Sequence, residues 1–124
     1  MSSHLNAEAV LIVDRDPAIR NLIQSLLERE GYSTLVAGSA NEVRSVFSQY
    51  GKRVVLLIAD MDVPGADCPE LVKALRRLKP DLQVICMAAS AEVSGESLEG
   101  FIILPKPFTI RELSDRVRDA LPNK

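Results

Sequence analysis

The side chains best suited to chemistry in this sequence are acids and one lysine, and all of them follow apolar runs. They are Asp14 and Asp16 after residues 10–13, Asp60 and Asp62 after residues 54–59, and Lys106 after residues 101–104. Unbroken apolar runs are typical of strands that are covered on both faces of a sheet. In open α/β sheets, ligands bind at the carboxyl ends of such strands. Asp60 is therefore either a ligand-binding group or an acid that initiates the turn at Pro64 and Gly65.

The elements that must position these side chains alternate along the chain. Five strands are predicted, over residues 10–13, 32–37, 54–59, 82–88 and 101–104. Apolar residues at helical spacing follow the first, second, third and fifth runs. Residues 90–100 are predicted as a short or frayed fourth helix, because Gly95 interrupts them and large apolar side chains are few. The alternation predicts an α/β fold, a doubly wound five-stranded parallel sheet with helices on both faces.

Composition limits the classes of function. The 124 residues suit a single domain, residues 1–124, with residues 1–8 expected to be a flexible N-terminus. A net charge of −2 argues against nucleic-acid binding by bulk charge. No membrane span or signal peptide is expected, because no apolar run is long enough. Cys68 and Cys86 lack metal-binding spacing, which favours free thiols and a cytoplasmic location.

The motifs at the strand ends resemble those of response regulator receiver domains, the CheY-like family. The matching residues are Val13, Asp14, Asp16 and Pro17, then Asp60 with Pro64 and Gly65, and finally Lys106, Pro107 and Phe108. The resemblance covers nearly the whole chain. It implies a sheet order of 2-1-3-4-5 and a cis peptide bond between Lys106 and Pro107. It also implies that a histidine kinase or a small phosphodonor phosphorylates Asp60.

The same resemblance implies a role for each site residue. Asp60 would be the phosphoacceptor, and Lys106 would contact the phosphoryl group as a positive point charge. Mg²⁺ would be held by Asp14, Asp60 and the backbone carbonyl of Asp62, and Asp16 is a candidate substitute ligand that the resemblance itself does not supply. Oxygen ligands of this kind suit Mg²⁺, which offsets the charge of the incoming phosphoryl group.

Several residues depart from the family pattern. Arg15 stands where the family has a second acid that binds the metal directly. Ala88 stands where the switch hydroxyl belongs, and Ile103 stands where the family has the aromatic residue that moves with it. Ser90 could supply a hydroxyl, but it comes two residues late. Cys68 replaces a usual glycine, and the segment between Ala88 and Lys106 is shorter than usual.

Two alternatives are open for Arg15. Its guanidinium could point into solvent, which would leave Asp14, Asp16 and Asp60 to bind a weakly held metal. It could instead lie among the acids and take the place of Mg²⁺, because an arginine repels a cation and pairs with carboxylates. The second alternative predicts that Mg²⁺ does not bind at millimolar concentration and that Asp60 is phosphorylated slowly or not at all.

Three functions compete. The first is a non-enzymatic signalling switch that accepts a phosphoryl group from a histidine kinase. The second is a pseudo-receiver, a protein-interaction module without phosphate control. The contact face of the pseudo-receiver would be the fourth helix, the fifth strand and the last helix. In both functions the resemblance implies a histidine kinase or another signalling protein as the partner, and the same face is a candidate surface for homodimerisation. The third rests on Asp60 and Asp62, which resemble the Asp-x-Asp motif of haloacid-dehalogenase-type phosphatases. Those enzymes place the motif after their first strand, whereas here two strand–helix units precede it.

Overall fold

A computed structural model describes residues 8–89 and 100–121. The strands are β1 (Ala9–Val13), β2 (Ser33–Ala37), β3 (Val54–Asp60), β4 (Gln83–Ala89) and β5 (Ile102–Lys106). The helices are α1 (Pro17–Arg29), α2 (Ala40–Tyr50), α3 (Cys68–Leu78) and α4 (Ile110–Ala120), with a short 3₁₀ turn at Gly51–Arg53. The predicted helix over residues 90–100 lies outside the described residues, apart from Gly100.

All neighbouring strands are parallel, in the order β2-β1-β3-β4-β5. This arrangement confirms the predicted fold class and sheet order. The pairing places Asp60 of β3 beside Met87, and Lys106 of β5 beside Ala89. The carboxyl ends of the central strands therefore meet at one edge, as the sequence predicted.

The two faces of the sheet are covered by different helices. Side chains alternate along a strand, so Leu57 and Ala59 pack with α2 and α3, whereas Leu56 and Ile58 pack with α1 and α4. Every residue of β1 is buried. This double burial explains why the strand sequences are continuously apolar rather than alternating. Among the described residues, no helix has the length and apolar character needed to cross a bilayer.

Local signals fix the helix ends close to the site. The Asp16 carboxylate accepts a hydrogen bond from the backbone N–H of Ala18 at 2.9 Å, and Pro17 occupies the first helical position of α1. Thr109 and Glu112 form a complete capping box at the start of α4. These caps begin two helices directly after β1 and β5, and they orient the intervening loops at the sheet edge.

Strand β5 is longer than the sequence predicts. The predicted strand ends at residue 104, whereas β5 continues through Pro105 to Lys106. A proline within a strand argues against a central position, but β5 pairs only with β4 and tolerates a residue that cannot donate. Because the strand continues, Lys106 has the extended backbone of the sheet and not the freedom of a loop.

Candidate functional site

Asp60 is the last residue of β3, and the loop that follows it is well defined. Its carboxylate oxygen Oδ1 accepts a hydrogen bond from the backbone N–H of Asp62 at 3.0 Å. The carbonyl of Pro64 accepts one from the N–H of Ala40 at 2.9 Å. Gly65 has a φ of +91°, a conformation that an L side chain rarely adopts. The turn therefore folds back onto α2 and leaves the second oxygen of Asp60 facing the cleft.

Lys106 reaches that second oxygen from the edge strand. Its Nζ lies 2.5 Å from Oδ2 of Asp60 and 3.9 Å from Oδ2 of Asp14. β4 separates β3 from β5, so the lysine spans about two strand spacings of 4.8 Å, a distance that suits its long side chain. The Lys106–Pro107 peptide bond is cis, as the resemblance implied. Three separate chain segments thus bring their charged ends together.

Asp14 lies deepest in this cleft, with only 2% of the residue exposed. Its Oδ1 accepts a hydrogen bond from the N–H of Asp16 at 2.9 Å, but its Oδ2 is buried without a hydrogen-bond partner. Burial raises the pKa of the Asp14 carboxyl above its ordinary value, and the charge of Asp60 acts in the same direction. The N–H of Asp16 and the ammonium of Lys106 oppose the increase in this pKa. Asp14 is therefore a desolvated carboxylate with one oxygen available to a cation.

Arg15 and Asp62 form an ion pair at the rim of the cleft. Their charged atoms are 3.5 Å apart, and their side chains are 66% and 68% exposed. Among the described residues, Arg15 makes no other ion pair. The structure thus places Arg15 at the exposed rim beside Asp62, and it places Lys106 between the deeper acids Asp14 and Asp60. The alternative in which the Arg15 guanidinium lies among these deeper acids in a partly dry cleft is therefore wrong. Asp16 is exposed and caps α1, so its carboxylate is directed to the helix.

The oxygen atoms at the site fit Mg²⁺ in kind but not in number. Asp14 and Asp60 offer carboxylates, and Oδ2 of Asp14 is buried without a hydrogen-bond partner. The third group is the backbone carbonyl that the resemblance assigns to Asp62, two residues after Asp60. Such a set leaves several positions for water, which Mg²⁺ keeps readily. However, within residues 8–89 and 100–121 no three acids, histidines or cysteines converge as a metal-binding group. Arg15, which lies between Asp14 and Asp16 in the sequence, brings a cation and no oxygen ligand to this edge.

The predicted switch positions carry no polar group. Ala88 is buried at 1% exposure and pairs with Pro105, and Ile103 is partly buried against the hydrophobic cluster shared with α2 and α3. Neither side chain can donate a hydrogen bond to a phosphoryl group. Ser90, the proposed substitute hydroxyl, lies outside the described residues.

Both cysteines are buried free thiols beneath the site, in agreement with the sequence analysis. The Cys86 thiol donates to the sulfur of Met61 at 3.2 Å. A hydrogen bond with Cys86, together with burial, raises the pKa of the Cys68 thiol. The Cys68 thiol is therefore a protonated packing group and not a nucleophile, and Cys86 is buried beside it.

Arg20 is a site residue that the sequence analysis did not identify. Its Nη1 donates to the backbone carbonyl of Asp14 at 2.9 Å, and this bond ties α1 to the end of β1. A Cβ atom at Gly38 would lie 2.7 Å from the same Nη1, so the glycine makes room for the guanidinium. The available signal was its spacing, four residues after Asp16, which places both residues on one side of α1.

Comparison with known proteins agrees with this architecture. The family model described as response regulator receiver domain matches residues 10–118. Sporulation initiation phosphotransferase F of Bacillus subtilis is 31% identical over 121 residues, which cover 94% of this chain and 96% of that protein. Other similar curated proteins, at 30–33% identity, are longer, and the chain spans 12% to 50% of their lengths.

Solved structures show the same similarity. A response regulator receiver domain protein from Clostridium thermocellum has a TM-score of 0.84 and 25% identity, covering 93% of this chain and 94% of that one. The response regulator TrrA of Thermotoga maritima, in complex with Mg²⁺ and BeF, has a TM-score of 0.80 and 28% identity, with 91% and 98% covered. With its sheet order, its cleft and these matches, the chain belongs to the response regulator receiver domain family, the signal-receiving modules of two-component systems.

Proposed function

We propose that Asp60 accepts a phosphoryl group and that Lys106 provides the main positive charge of the reaction. The observation that supports this most strongly is the 2.5 Å contact between Lys106 Nζ and Oδ2 of Asp60. The Asp60 side chain is 14% exposed, so it can be reached from solvent while it is partly screened from water. This combination suits a carboxylate nucleophile whose charge must be offset as another anion approaches.

In the proposed step, an oxygen of Asp60 forms a bond to phosphorus while the bond from phosphorus to the donor breaks. The leaving group takes the electron pair, and Asp60 becomes an acyl phosphate. Lys106 then binds the new phosphoryl oxygens instead of the carboxylate alone. Asp60 is thus a substrate that is modified, and the chain is a signalling module and not an enzyme with turnover on small molecules.

Mg²⁺ would be held by Asp14, Asp60 and the carbonyl of Asp62, and it would neutralise charge on the phosphoryl oxygens. Asp16 is used as a helix cap, so it would contribute less than the sequence analysis assigned to it. Arg15 lowers the affinity, because it removes one ligand and adds a positive charge close to Asp62. We propose that the affinity for Mg²⁺ is weaker than millimolar.

The partners follow from the family and the site. A histidine kinase in the cytoplasm would supply the phosphoryl group. Ala88 and Ile103 lack the groups that couple the phosphate to the surface around β5 and α4. Phosphorylation would therefore change that surface little, and homodimerisation through it would be largely independent of phosphate.

The test of phosphoryl acceptance uses acetyl phosphate as the donor and intact-protein mass spectrometry as the readout. The expected result is the addition of a single phosphoryl group that hydroxylamine removes and that Asp60→Asn abolishes. Asp119→Asn is the matched control, because it changes an exposed acid on α4 in the same way. Incorporation that persists in Asp60→Asn would overturn the assignment of the acceptor. A wild-type chain that is never phosphorylated would favour the pseudo-receiver.

The test of metal binding is a titration with Mg²⁺ followed by amide chemical shifts. We expect no saturation of the wild type at millimolar Mg²⁺, and saturation after Arg15→Asp. Arg29→Asp makes the same charge change at the far end of α1, about 20 Å away at 1.5 Å per residue, and should not restore binding. Tight, saturable binding by the wild type would overturn the role given to Arg15.

A further inference from the structure

A groove between the C-terminal halves of α2 and α3 lies at the end of the sheet opposite Asp60. It consists of two adjoining cavities of about 420 and 700 Å³ that share Phe47, Ser48 and Leu78. The deep apolar side chains are Phe47, Leu71 and Leu75, each 2% to 6% exposed. Leu78 is 74% exposed and Tyr50 is 39% exposed, so apolar surface continues to the rim.

The rim of this groove is positively charged although the whole chain is negative. Charged side chains along the two cavities are the cations Arg44, Lys52, Arg53 and Lys79 and the single acid Asp81. Asp81 pairs with Lys79 at 3.5 Å. The net charge of the chain is −2, so the positive charge along this groove is opposite in sign to the charge of the chain as a whole. Charge complementarity therefore indicates an acidic occupant.

We propose that this groove binds an acidic amphipathic helix of a partner protein. Residues 44–50 of α2 and the 3₁₀ turn extend for about 16 Å, which matches three turns of a helix at 5.4 Å per turn. Apolar anchors at helical spacing would contact Phe47, Leu75 and Leu78, and acids on both sides would face Arg44 and Lys52. This is the helix-in-groove mode of recognition.

A nucleic acid is a poorer occupant because the floor of the groove is made of leucine and phenylalanine side chains. Nucleic-acid backbones bind to rows of cations, and here the cations lie only at the rim.

The groove is also remote from Asp60, since α3 begins beside the site at Cys68 and ends at Leu78. Binding in the groove therefore does not depend on whether Asp60 is phosphorylated.

The test uses the whole chain, labelled with ¹⁵N, and a designed helical peptide of twelve residues. The peptide carries leucine at positions i, i+3, i+4 and i+7 and glutamate elsewhere; a second peptide replaces each glutamate with lysine. We expect the acidic peptide to bind with a Kd of about 10–100 μM and to shift amides at Phe47, Leu75 and Leu78. The lysine peptide should bind at least about tenfold more weakly, a ratio that corresponds to about 1.4 kcal/mol.

Matched variants test whether the leucine and the cations of the groove bind the peptide. Leu78→Glu should weaken binding about tenfold, while Leu22→Glu, an exposed leucine on the opposite face, should not. Arg44→Glu combined with Lys52→Glu should weaken it further, whereas Arg29→Glu combined with Arg111→Glu should not. Asp60→Ala should leave peptide binding unchanged, which separates this surface from the phosphoryl site. The proposal would be overturned if both peptides bound with equal affinity, or if no binding were seen at millimolar peptide. It would also be overturned if the chemical-shift changes mapped to another surface, or if a short DNA duplex bound more tightly than the acidic peptide.

Discussion

Two pairs of opposite charges lie a few residues apart in this protein and differ in almost every physical respect. The inner pair joins Lys106 and Asp60, with Asp14 behind them, and the side chains of the two acids are 14% and 3% exposed. The outer pair joins Arg15 and Asp62, and both side chains are about two-thirds exposed. The inner atoms are 2.5 Å apart, whereas the outer atoms are 3.5 Å apart.

Both pairs join one positive and one negative charge, so we expect burial, and not formal charge, to decide how strongly each pair affects the site. Water screens an exposed ion pair, and such pairs contribute little to stability. A buried charge has lost its hydration and depends on its partner, so removal of that partner lowers the free energy of unfolding strongly. Arg15 lies at the screened rim, so we expect its charge to affect the chemistry at Asp60 less than the charge of Lys106 does. The following predictions test this contrast, beginning with the largest expected effect.

Removal of the inner cation should slow phosphorylation far more than removal of the outer one. Lys106→Ala should lower the initial rate of phosphoryl incorporation from acetyl phosphate by about 100-fold, the usual effect of losing one stabilising donor. Arg15→Ala should change this rate less than about threefold, because water screens the charge of the exposed Arg15 guanidinium. Rates come from intact-protein mass spectrometry over time. Similar losses in both variants would show that the rim takes part in the chemistry.

Neutralising the deepest acid should stabilise the fold. Asp14→Asn keeps an oxygen that accepts from the N–H of Asp16, and it removes a buried charge whose second oxygen lacks a hydrogen bond. We expect the free energy of unfolding at neutral pH to increase by about 1 to 3 kcal/mol, the scale of a desolvation penalty, because the amide carries no charge that burial penalises and Asp60 repels. The matched change Asp62→Asn at the rim should alter it by less than about 0.5 kcal/mol. Urea unfolding followed by circular dichroism measures both; a loss of stability in Asp14→Asn would contradict this prediction.

The stabilisation by Asp14→Asn should depend on pH, with a sign that follows from the raised pKa of Asp14. A raised pKa means that the folded state binds a proton more tightly than the unfolded chain does. The cost of the charged carboxylate is therefore fully present above the folded pKa, and it disappears as the pH falls towards the ordinary value of 3.8. The difference between the two proteins should shrink between neutral and acidic pH. A difference that grows on acidification would contradict the assigned direction.

Most of the fold could be predicted because local signals and burial point to the same structure. The continuous apolar runs of β1 and β3 required two covered faces, and the caps at Asp16 and Thr109 set where helices begin. The end of β5 could not be predicted in this way. Pro105 is a strong local signal against a strand, and only the sheet order reveals that it lies on an edge, where this signal has less weight.

The sequence predicted which charged residues share one edge of the sheet better than it predicted how their side chains are arranged there. Asp14, Asp60 and Lys106 could be placed at one edge because parallel strands align their carboxyl ends. Which cation lies between the acids depends on side-chain reach from β5 and on the direction in which Arg15 leaves β1. The spacing of residues in the sequence does not indicate how far the Lys106 side chain reaches or in which direction the Arg15 side chain points. The bond from Arg20 to the carbonyl of Asp14 involves a backbone acceptor, which has no signature in the sequence.

The smallest expected effect is the coupling within the outer pair. In a double-mutant cycle of Arg15→Ala and Asp62→Ala, the coupling free energy should be between zero and about 1 kcal/mol, because both side chains are largely exposed. It should fall as ionic strength rises, since the Debye length shortens to about 3 Å in 1 M salt. The same cycle on Lys106 and Asp60 should give a value several times larger and less sensitive to salt, because truncation leaves a partly buried charge unpaired. Equal couplings in the two cycles would mean that the rim is as dry as the cleft, and the distinction between the two pairs would no longer hold.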